Sequence, residues 1–292
     1  MREYIEKAKV LVEALPYIKQ FNGCTAVIKY GGSALINDEI KLSVIKDIAL
    51  MKFVGFKPVV VHGGGPEING LLNRLNIKSE FVGGLRVTTE ETMEMVEMVL
   101  SGKLNKAIVA DLTMQGILSA GISGKDCGLL RVRKLMPGGV DIGFVGEVSK
   151  VDTTLIKTLI DNDFVPVISP VGVDENGASY NVNADMAAVA IAGALKAQKL
   201  VFLTDVEGVL RHKNGDDGQH EVYSRLTASH IARLIDRGVI TGGMIPKVQS
   251  CVAAVQSGVK HVHILDGRVE HCLLLEIFTQ EGVGTMVEGD MA

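Results

Sequence analysis

The sequence predicts an α/β protein built on a mainly parallel sheet, and three observations support this prediction. Segments with strand character alternate with segments of helical character almost from one end of the chain to the other. The valines 59–61 form a β-branched run, which indicates a strand covered on both faces. The glycines 63–65 follow at its carboxyl end, the edge where an open α/β sheet binds its ligands.

In the first half of the chain, proline and glycine residues mark the ends and weak points of the predicted helices and strands. Pro16 lacks an N–H donor, so it should break or kink the helix predicted over 1–22. Gly83 and Gly84 indicate a hairpin within 79–87, and Gly102 is a weak point in a helix over 89–114. The other predicted strands are 25–29, the strand at Val59, 117–122, 129–134, 147–151 and 164–168, and the other helices are 38–53, 66–75 and 153–162.

The second half begins near a polar turn cluster at 172–177. An alanine-rich helix is expected over 184–196, and Thr227 is a suitable N-cap for a helix over 227–237. The polar, glycine-rich run 211–220 predicts an exposed loop. The remaining predicted elements are the strands 200–203, 261–265 and 284–287 and a helix that begins within 241–247 and ends at 256.

Length and composition are those of an ordinary globular enzyme. The 292 residues allow one large domain or two smaller ones, with 47% hydrophobic and 22% charged residues. The formal net charge is −4, and no basic stripe with interleaved aromatic residues indicates a nucleic-acid partner. The apolar run 187–195 is too short to cross a bilayer, and 1–22 lacks the apolar core of a signal peptide.

The cysteines point to a reducing compartment. Cys24, Cys127, Cys251 and Cys272 are scattered and form no C-x-x-C pair, so we expect free thiols and a cytoplasmic protein. No spacing typical of a metal site is present, so no protein metal ligand is predicted.

Two glycine loops predict an anion site. Besides the loop at 63–65, the short apolar strand at 27–29 continues into Gly31 and Gly32. Glycine loops bring several backbone N–H groups against one anion because no Cβ intervenes. One such loop alone is equally compatible with a tight strand-to-helix turn. Two loops at the same edge of a sheet favour a site for a highly charged group such as phosphate.

The familiar phosphate-binding motifs are absent. There is no G-x-x-x-x-G-K-[ST], since Gly124-Lys125 is followed by Asp126 and lacks the upstream glycine. G-x-G-x-x-G and the protein-kinase signatures are missing as well. A phosphate-handling site must therefore be of another kind.

From about residue 25 to residue 286 the chain resembles the amino acid kinase family, and within it the members that act on N-acetyl-L-glutamate. Six motifs in the family's order carry the resemblance: 29–33 (KYGGS), 62–66 (HGGGP), 84–88 (GLRVT), 181–185 (NVNAD), 203–208 (LTDVEG) and 242–247 (GGMIPK). Thr89 and Glu207 depart from the family, which often has Asp at these positions. The resemblance implies a three-layer αβα sandwich with a central, mainly parallel sheet.

The implied reaction is phosphoryl transfer from MgATP to the γ-carboxylate of N-acetyl-L-glutamate, a step of arginine biosynthesis. Such transfer depends on positioning and on neutralising charge. Lys29 and Lys247 would supply cations, Gly32 and Gly65 would supply N–H donors, and Asp185 would hold the lysines. The alternatives are solvated surface lysines and, for Asp185, a carboxylate that merely favours a helix N-terminus.

The resemblance also implies the binding residues. Arg86 would clamp a substrate carboxylate, with Asn181, Gly64 and Gly65 in the same pocket; Asn183 offers a further amide. No general base is needed, and His62 is predicted to be a core histidine. The nucleotide would contact Lys29, Gly31, Gly32, Thr204, Asp205, Gly208 and Lys247. Magnesium would be carried by phosphates and water.

The predicted organisation is a regulatory and oligomerisation helix (1–22), a lobe for the acylamino acid and for dimerisation (23–178), and an ATP-binding lobe (179–292). Ile5, Ala8, Val12 and Leu15 form an apolar stripe at helical spacing. It could pack on its own domain, but the resemblance favours a dimer-based hexamer. The resemblance further implies inhibition by L-arginine at a site formed by Tyr17, Lys199, His263, Glu276, Gly282 and Gly284.

Two other interpretations stay open at this point. A related acyl kinase for another carboxylate, such as aminoadipate carried on a protein, would share every loop. A nucleotide-sensing protein without turnover would be indicated by loss of Lys29 or Lys247, and both are present.

Overall fold

The computed structural model describes residues 1–35, 37–212, 220–279 and 282–290. In these ranges the α-helices are α1 (Arg2–Phe21), α2 (Asp38–Phe53), α3 (Gly65–Arg74), α4 (Glu90–Glu97), α5 (Asn105–Met114), α6 (Thr154–Asp161), α7 (Ala184–Leu195), α8 (Ala228–Asp236), α9 (Met244–Gln256) and α10 (Cys272–Phe278). None of these described helices is long and apolar enough to cross a membrane.

The strands of the same ranges form one large sheet, a small barrel and two hairpins. They are β1 (Thr25–Tyr30), β2 (Lys57–His62), β3 (Phe81–Val82), β4 (Leu85–Arg86), β5 (Ser119–Ser123), β6 (Leu130–Lys134), β7 (Val145–Val151), β8 (Val165–Ser169), β9 (Val171–Val173), β10 (Ser179–Val182), β11 (Lys199–Thr204), β12 (Leu210–His212), β13 (His220–Val222), β14 (Arg225–Thr227), β15 (His261–Asp266) and β16 (Thr285–Glu288).

The large sheet has the strand order β14-β16-β15-β11-β1-β2-β8-β5. Its neighbours run parallel except β15 and β16, which are antiparallel. Strands from the first half of the chain extend to one side of β1, and strands from the second half extend to the other. The predicted mainly parallel sheet is confirmed.

Helices cover both faces of the sheet. Successive side chains of a strand point to opposite faces, so neighbouring residues pack against different helices. Val27, Val59 and Val61 pack with α7 and α9 in one hydrophobic cluster. Ile28 and Val60 pack with α2, α5 and α10 in another. These helices therefore form two outer layers around the sheet, and the predicted αβα sandwich is confirmed.

Most predicted helices and strands occur within a few residues of their expected bounds. The helix α1 continues through Pro16 as one element, so of the predicted break or kink the break is absent and the kink stays a prediction. The weak point at Gly102 lies in a π-helical turn, Met98–Leu104, between α4 and α5. Thr227 is the N-cap of α8 and accepts a hydrogen bond from the N–H of His230.

The predicted loop at 211–220 is partly wrong, because β12 and β13 pair as a hairpin at its two ends. Residues 213–219 of this prediction lie outside the described residues. The barrel of β6, β7, β9 and β10 and the helix α10 were not predicted. The strand β10 begins at Ser179, just past the predicted lobe boundary, and pairs with β7 and β9 from the other side of it. The division into lobes remains a prediction.

Candidate functional site

The candidate site lies where three parallel strands end side by side. Strand β1 pairs with β2 on one side and with β11 on the other. Because the strands are parallel, the loops after Tyr30, His62 and Thr204 meet at one edge of the sheet. The direction of strand addition reverses between β1 and β11, and such switch points form ligand crevices in open α/β sheets.

The two predicted glycine loops touch each other at this edge. The N–H of Gly63 donates to the carbonyl of Tyr30 at 2.8 Å. Gly32 has a φ of +67°, and a Cβ there would come within 2.5 Å of a carboxylate oxygen of Asp205. A Cβ on Gly31 would meet the ammonium of Lys29 at 2.7 Å. Glycine is thus favoured at Gly32 by its left-handed φ and the nearby carboxylate, whereas the ammonium near Gly31 is the mobile end of a lysine side chain. Asp205 lies against this first glycine loop (31–32).

Three charged side chains, those of Lys29, Asp185 and Lys247, form a charged group at the same edge. The ammonium of Lys29 lies 2.9 Å from Asp185 Oδ1, with both side chains mostly buried. Asp185 is in the first turn of α7, and Asn183 caps that helix by accepting from the N–H groups of Asp185 and Met186. The oxygen of Asn183 is thereby engaged by the helix, so it is less available to a ligand than predicted.

Lys247 belongs to this charged group. Burial lowers its pKa below the usual lysine value because a dry environment disfavours the ammonium. The charge of Asp185 opposes this lowering and that of Lys29 adds to it, while Asp205 favours the charged form. Asp185 therefore sits close enough to both lysines to compensate two cations that would otherwise repel each other.

A cavity of about 200 Å³ adjoins the second glycine loop, residues 63–65. Its lining includes the predicted residues Gly64, Gly65, Arg86 and Asn181 and the side chain of Phe81. The predicted acylamino-acid residues therefore come together around one cavity, next to the charged group.

Arg86 is buried and held from three directions. Its guanidinium donates to the hydroxyl of Ser79 and, at 3.4 Å, to the carbonyl of Gly65, and it stacks 4.8 Å from the ring centre of Phe81. Burial lowers the pKa of Arg86, but an arginine stays protonated in proteins. A buried guanidinium without a carboxylate partner among the described residues suits an anionic ligand.

Asn181 is tied to the same hairpin. Its Nδ2 donates to Thr88 Oγ1 at 3.3 Å, and the hydroxyl of Thr88 donates to the carbonyl of Arg86 at 2.9 Å. The roles of Ser79, Phe81 and Thr88 were missed from the sequence. Thr88 ends the quoted motif at 84–88 and could have been noticed, whereas Ser79 carries no such signal.

Three of the predicted nucleotide residues, Thr204, Asp205 and Gly208, lie at the end of β11 and in the loop that follows it. Thr204 is buried, and its hydroxyl accepts from the N–H of Val206 at 3.2 Å. Gly208 has a φ of +148°, and a Cβ there would come within 2.6 Å of Thr285 Oγ1. Both residues therefore shape the loop that carries Asp205. Among the described residues, no group of three or more His, Cys, Asp or Glu could hold a metal ion.

A second cluster occupies the opposite edge of the sheet, where β11 and β15 begin. Lys199 Nζ lies 3.2 Å from His263 Nε2, and His263 Nδ1 lies 2.7 Å from Glu276 Oε1. The other oxygen of Glu276 accepts from the N–H groups of Val283 and Gly284 at 2.8 and 3.2 Å. Burial lowers the pKa of His263 and of Lys199. Hydrogen bonds outweigh burial at Glu276 and lower its pKa, so its carboxylate stays ionised.

This second cluster borders a cavity of about 600 Å³ beneath α1. The cavity is lined by Tyr17, Lys199, His263, Glu276 and Gly282. Gly284 lies beside them through its hydrogen bond to Glu276. All the residues predicted from the resemblance for an arginine site thus come together, well away from Lys29 and Lys247.

Comparisons with known proteins agree with this architecture. The model of the amino acid kinase family matches residues 25–266. An acetylglutamate kinase of Heliobacterium modesticaldum is 55% identical over 98% of this chain and 99% of its own length. An acetylglutamate kinase of Desulforamulus reducens is 57% identical, with the same two coverages.

Two solved structures are similar over nearly the whole chain. They are N-acetylglutamate synthase from Neisseria gonorrhoeae with coenzyme A and N-acetyl-glutamate (TM-score 0.85, 26% identity, 98% of this chain) and the same protein with coenzyme A and L-arginine (TM-score 0.80, 26%, 96%). This chain covers 64% and 65% of those longer chains. Carbamate kinase from Giardia lamblia bound to AMP-PNP (TM-score 0.62, 18%, 92% of this chain and 99% of that one) shares the fold.

The geometry of the charged group yields a prediction for Asp185→Asn. Removing this carboxylate removes the main charge that raises the pKa of Lys247, so that pKa should fall further below the usual lysine value. NMR titration of the lysine side chains measures it. Asp163→Asn is the matched control, since Asp163 pairs with Lys52 elsewhere. An unchanged pKa of Lys247 in Asp185→Asn would contradict the compensating role of Asp185.

Proposed function

The chain belongs to the amino acid kinase family and, within it, to the acetylglutamate kinases, and we propose that it phosphorylates the γ-carboxylate of N-acetyl-L-glutamate with ATP in arginine biosynthesis. The observation that carries this proposal is the Lys29–Asp185 pair at 2.9 Å, with Lys247 close by, between two glycine loops. The group lies between the cavity of Arg86 on one side and the crevice of β1 and β11 on the other. These are the two binding regions that a phosphoryl transfer needs.

Arg86 is proposed to hold a carboxylate of the acylamino acid. Its buried guanidinium and the adjoining cavity of about 200 Å³ suit a small dicarboxylate. Asn181, whose Nδ2 already donates to Thr88, keeps its oxygen for the acetamido N–H. Gly64 and Gly65 would line the same pocket.

The nucleotide is proposed to lie over the β1–β11 crevice, with its phosphates near Gly31, Gly32 and the two lysines. Thr204, Asp205 and Gly208 would form its outer wall. Magnesium would be held mainly by the phosphate oxygens of the nucleotide, since it prefers oxygen ligands and keeps several waters. Bound there, it would neutralise phosphate charge. In lobe terms, 23–178 would bind the acylamino acid and 179–292 the ATP.

Catalysis in this proposal comes from position and charge. The attacking γ-carboxylate is already ionised at neutral pH, so no general base is required. Negative charge on the transferring phosphoryl group would be matched by Lys29 and Lys247, held by Asp185, and by the N–H groups of Gly32 and Gly65. The buried His62 fits this scheme, because burial lowers its pKa to about 4 and keeps it neutral.

Lys29→Ala and Lys247→Ala should each lower kcat by about 10²–10³, the scale of one lost electrostatic donor. The KM values should change less, because ground-state binding is spread over many contacts. Steady-state ADP release with acetylglutamate measures both, and glutamate, aspartate and UMP test the choice of substrate. Lys46→Ala, on the exposed side of α2, is the control. Near-normal kcat in either variant would remove that lysine from the mechanism.

Arg86→Lys should raise the KM for acetylglutamate strongly and leave the KM for ATP nearly unchanged. Lysine keeps the positive charge but loses the planar fork that binds a carboxylate through two hydrogen bonds. Initial rates at varied concentrations of each substrate separate the two effects. Arg74→Lys, at the end of α3, is a matched control. A rise confined to ATP would mean that Arg86 serves the nucleotide.

The second cavity is proposed to bind L-arginine as a feedback inhibitor. The ionised carboxylate of Glu276 suits a guanidinium, and the synthase of similar fold was solved with L-arginine. The cavity lies at the opposite edge of the sheet from the charged group, so inhibitor and substrates would not compete directly.

The helix α1 is proposed to join dimers into a hexamer. Its side chains Tyr4, Ile5, Val12 and Leu15 are exposed apolar groups, with 62% of Val12 accessible. The side chain of Ala8, also part of the predicted stripe, lies outside what the structure describes. An exposed apolar stripe favours a protein partner. The free cysteines agree with the proposed cytoplasmic location.

Deleting residues 1–18 should leave an active dimer with weakened inhibition by arginine, because both the stripe and Tyr17 are lost. Glu276→Gln should weaken inhibition but keep the hexamer, since the residue is buried away from the stripe. Analytical ultracentrifugation and activity with increasing arginine distinguish the two effects. An intact hexamer with unchanged inhibition after the deletion would refute the proposal.

A further inference from the structure

A chain of neutral and charged polar groups supports the second glycine loop from below. Lys106 Nζ lies 3.1 Å from Asn105 Oδ1, and Asn105 Nδ2 lies 3.3 Å from His62 Nε2. His62 Nδ1 lies 2.9 Å from the carbonyl oxygen of Gly63. Asn105 and His62 are both fully buried. None of these side chains was assigned a role in the reaction above.

The orientation of the Asn105 amide follows from its neighbours. An ammonium can only donate, so the atom that faces Lys106 must be the oxygen. The carbonyl of Val167, 2.9 Å from the other amide atom, can only accept, so that atom must be the nitrogen. The same Nδ2 also reaches the carbonyl of Ile122 at 3.3 Å. The two N–H groups of Nδ2 are therefore shared among three acceptors, and the atom that Asn105 presents to His62 is a donor.

The tautomer of His62 follows in turn. Its Nε2 faces the donor of Asn105 and must accept, so it carries no proton. Its Nδ1 faces a carbonyl oxygen and must donate, so it carries the proton. Burial lowers the pKa of His62 to about 4, with the charge of Lys106 acting in the same direction. At neutral pH the imidazole is therefore neutral and keeps this single arrangement.

The carbonyl of Gly63 belongs to the peptide group that precedes Gly64. In a planar trans peptide the C=O and the N–H point in opposite directions. Holding the carbonyl toward the imidazole therefore aims the N–H of Gly64 away from it. Within the described residues this N–H has no backbone acceptor.

The π-helical turn fixes the same glycine from the side. A Cβ on Gly64 would come within 2.6 Å of Leu100 Cδ2 and 2.5 Å of Leu104 Cδ1. Asn105 directly follows this turn. One irregular segment thus supplies both the leucines against Gly64 and the amide that orients His62, and π turns are frequent at functional sites.

We propose that His62, held in its Nδ1-protonated tautomer by Asn105, is a positioning residue that aims the N–H of Gly64 at an anionic oxygen of the acyl substrate. This inference rests on the proposed function, because it assumes that the cavity of Arg86 binds the acylamino acid. The donor in question is a neutral backbone group, so it complements the lysines on the other side of the reacting atoms.

Two substitutions of His62 separate the two ring nitrogens. In His62→Asn the amide nitrogen can replace Nδ1 as the donor to Gly63, whereas in His62→Gln the amide lies at the position of Nε2. We expect kcat with acetylglutamate to fall less than about tenfold in His62→Asn and about 10²-fold in His62→Gln, the scale of a 1 Å misplacement. The KM for ATP should change little in both variants.

A spectroscopic measurement tests the proposal without relying on a variant that folds. With ¹⁵N-labelled histidine, the wild-type His62 should show a protonated Nδ1 and an unprotonated Nε2 throughout the neutral pH range. Loss of its signals in His62→Asn assigns them. Asn105→Asp replaces the donor by a carboxylate and should place a proton on Nε2 as well, because Nδ1 still faces the carbonyl of Gly63. Asn37→Asp, at the exposed N-cap of α2, should leave the tautomer unchanged.

The outcomes distinguish this inference from the proposed function. Wild-type protein that releases no ADP with acetylglutamate would contradict the proposed function. Active wild-type protein with a proton on Nε2 of His62, or with equal kcat in His62→Asn and His62→Gln, would overturn the role of His62 alone. The expected tautomer together with the expected difference between the variants supports it.

Discussion

The parallel pairing of β1 with β2 and β11 is the constraint on which the candidate site depends. It brings three loops to one edge, so that Lys29, the glycines 63–65 and Asp205 become neighbours although they lie far apart in sequence. The same strands separate the two clusters. Thr204 follows Lys199 by five steps along β11, which is about 16 Å at roughly 3.3 Å per residue. One strand thus contributes to both edges while it keeps the two clusters apart.

Local periodicity explains what could be predicted from the sequence. Buried strands such as β2 and amphipathic helices carry their own signal, and glycine runs mark the loops, so the mainly parallel sheet and an anion site at its edge were expected. The three-layer sandwich was expected from the family resemblance. The barrel was missed because β9 and β10 are short and depend on non-local pairing. The helix α10 begins after His271 in a left-handed conformation and has no side-chain N-cap, so the usual start signal is absent.

The site residues also fall into those that a sequence motif marks and those that only tertiary contacts define. Lys29, Asp185 and Lys247 lie in quoted motifs and were found through the resemblance. Ser79 was not found, because its hydrogen bond with Arg86 forms only when the β3–β4 hairpin pairs Phe81 with Arg86. Asn105 was not found either, since a single asparagine in a helical pattern gives no sign of a histidine partner 43 residues earlier. Such partners are fixed by tertiary contacts, which no local pattern records.

The two glycine loops are supported by different physical means. Beside the first loop, Lys29 and Lys247 retain some contact with solvent, and Asp185 compensates their charges. Beneath the second loop His62 and Asn105 are fully buried, where an uncompensated charge would be costly, and the charged Lys106 next to them is exposed. The neutral imidazole of His62 and the amide of Asn105 meet that restriction, because they carry no net charge and the atoms facing them are of the opposite donor or acceptor type. Charge therefore lies where it can act on a ligand, and neutral hydrogen bonds hold the backbone that surrounds it.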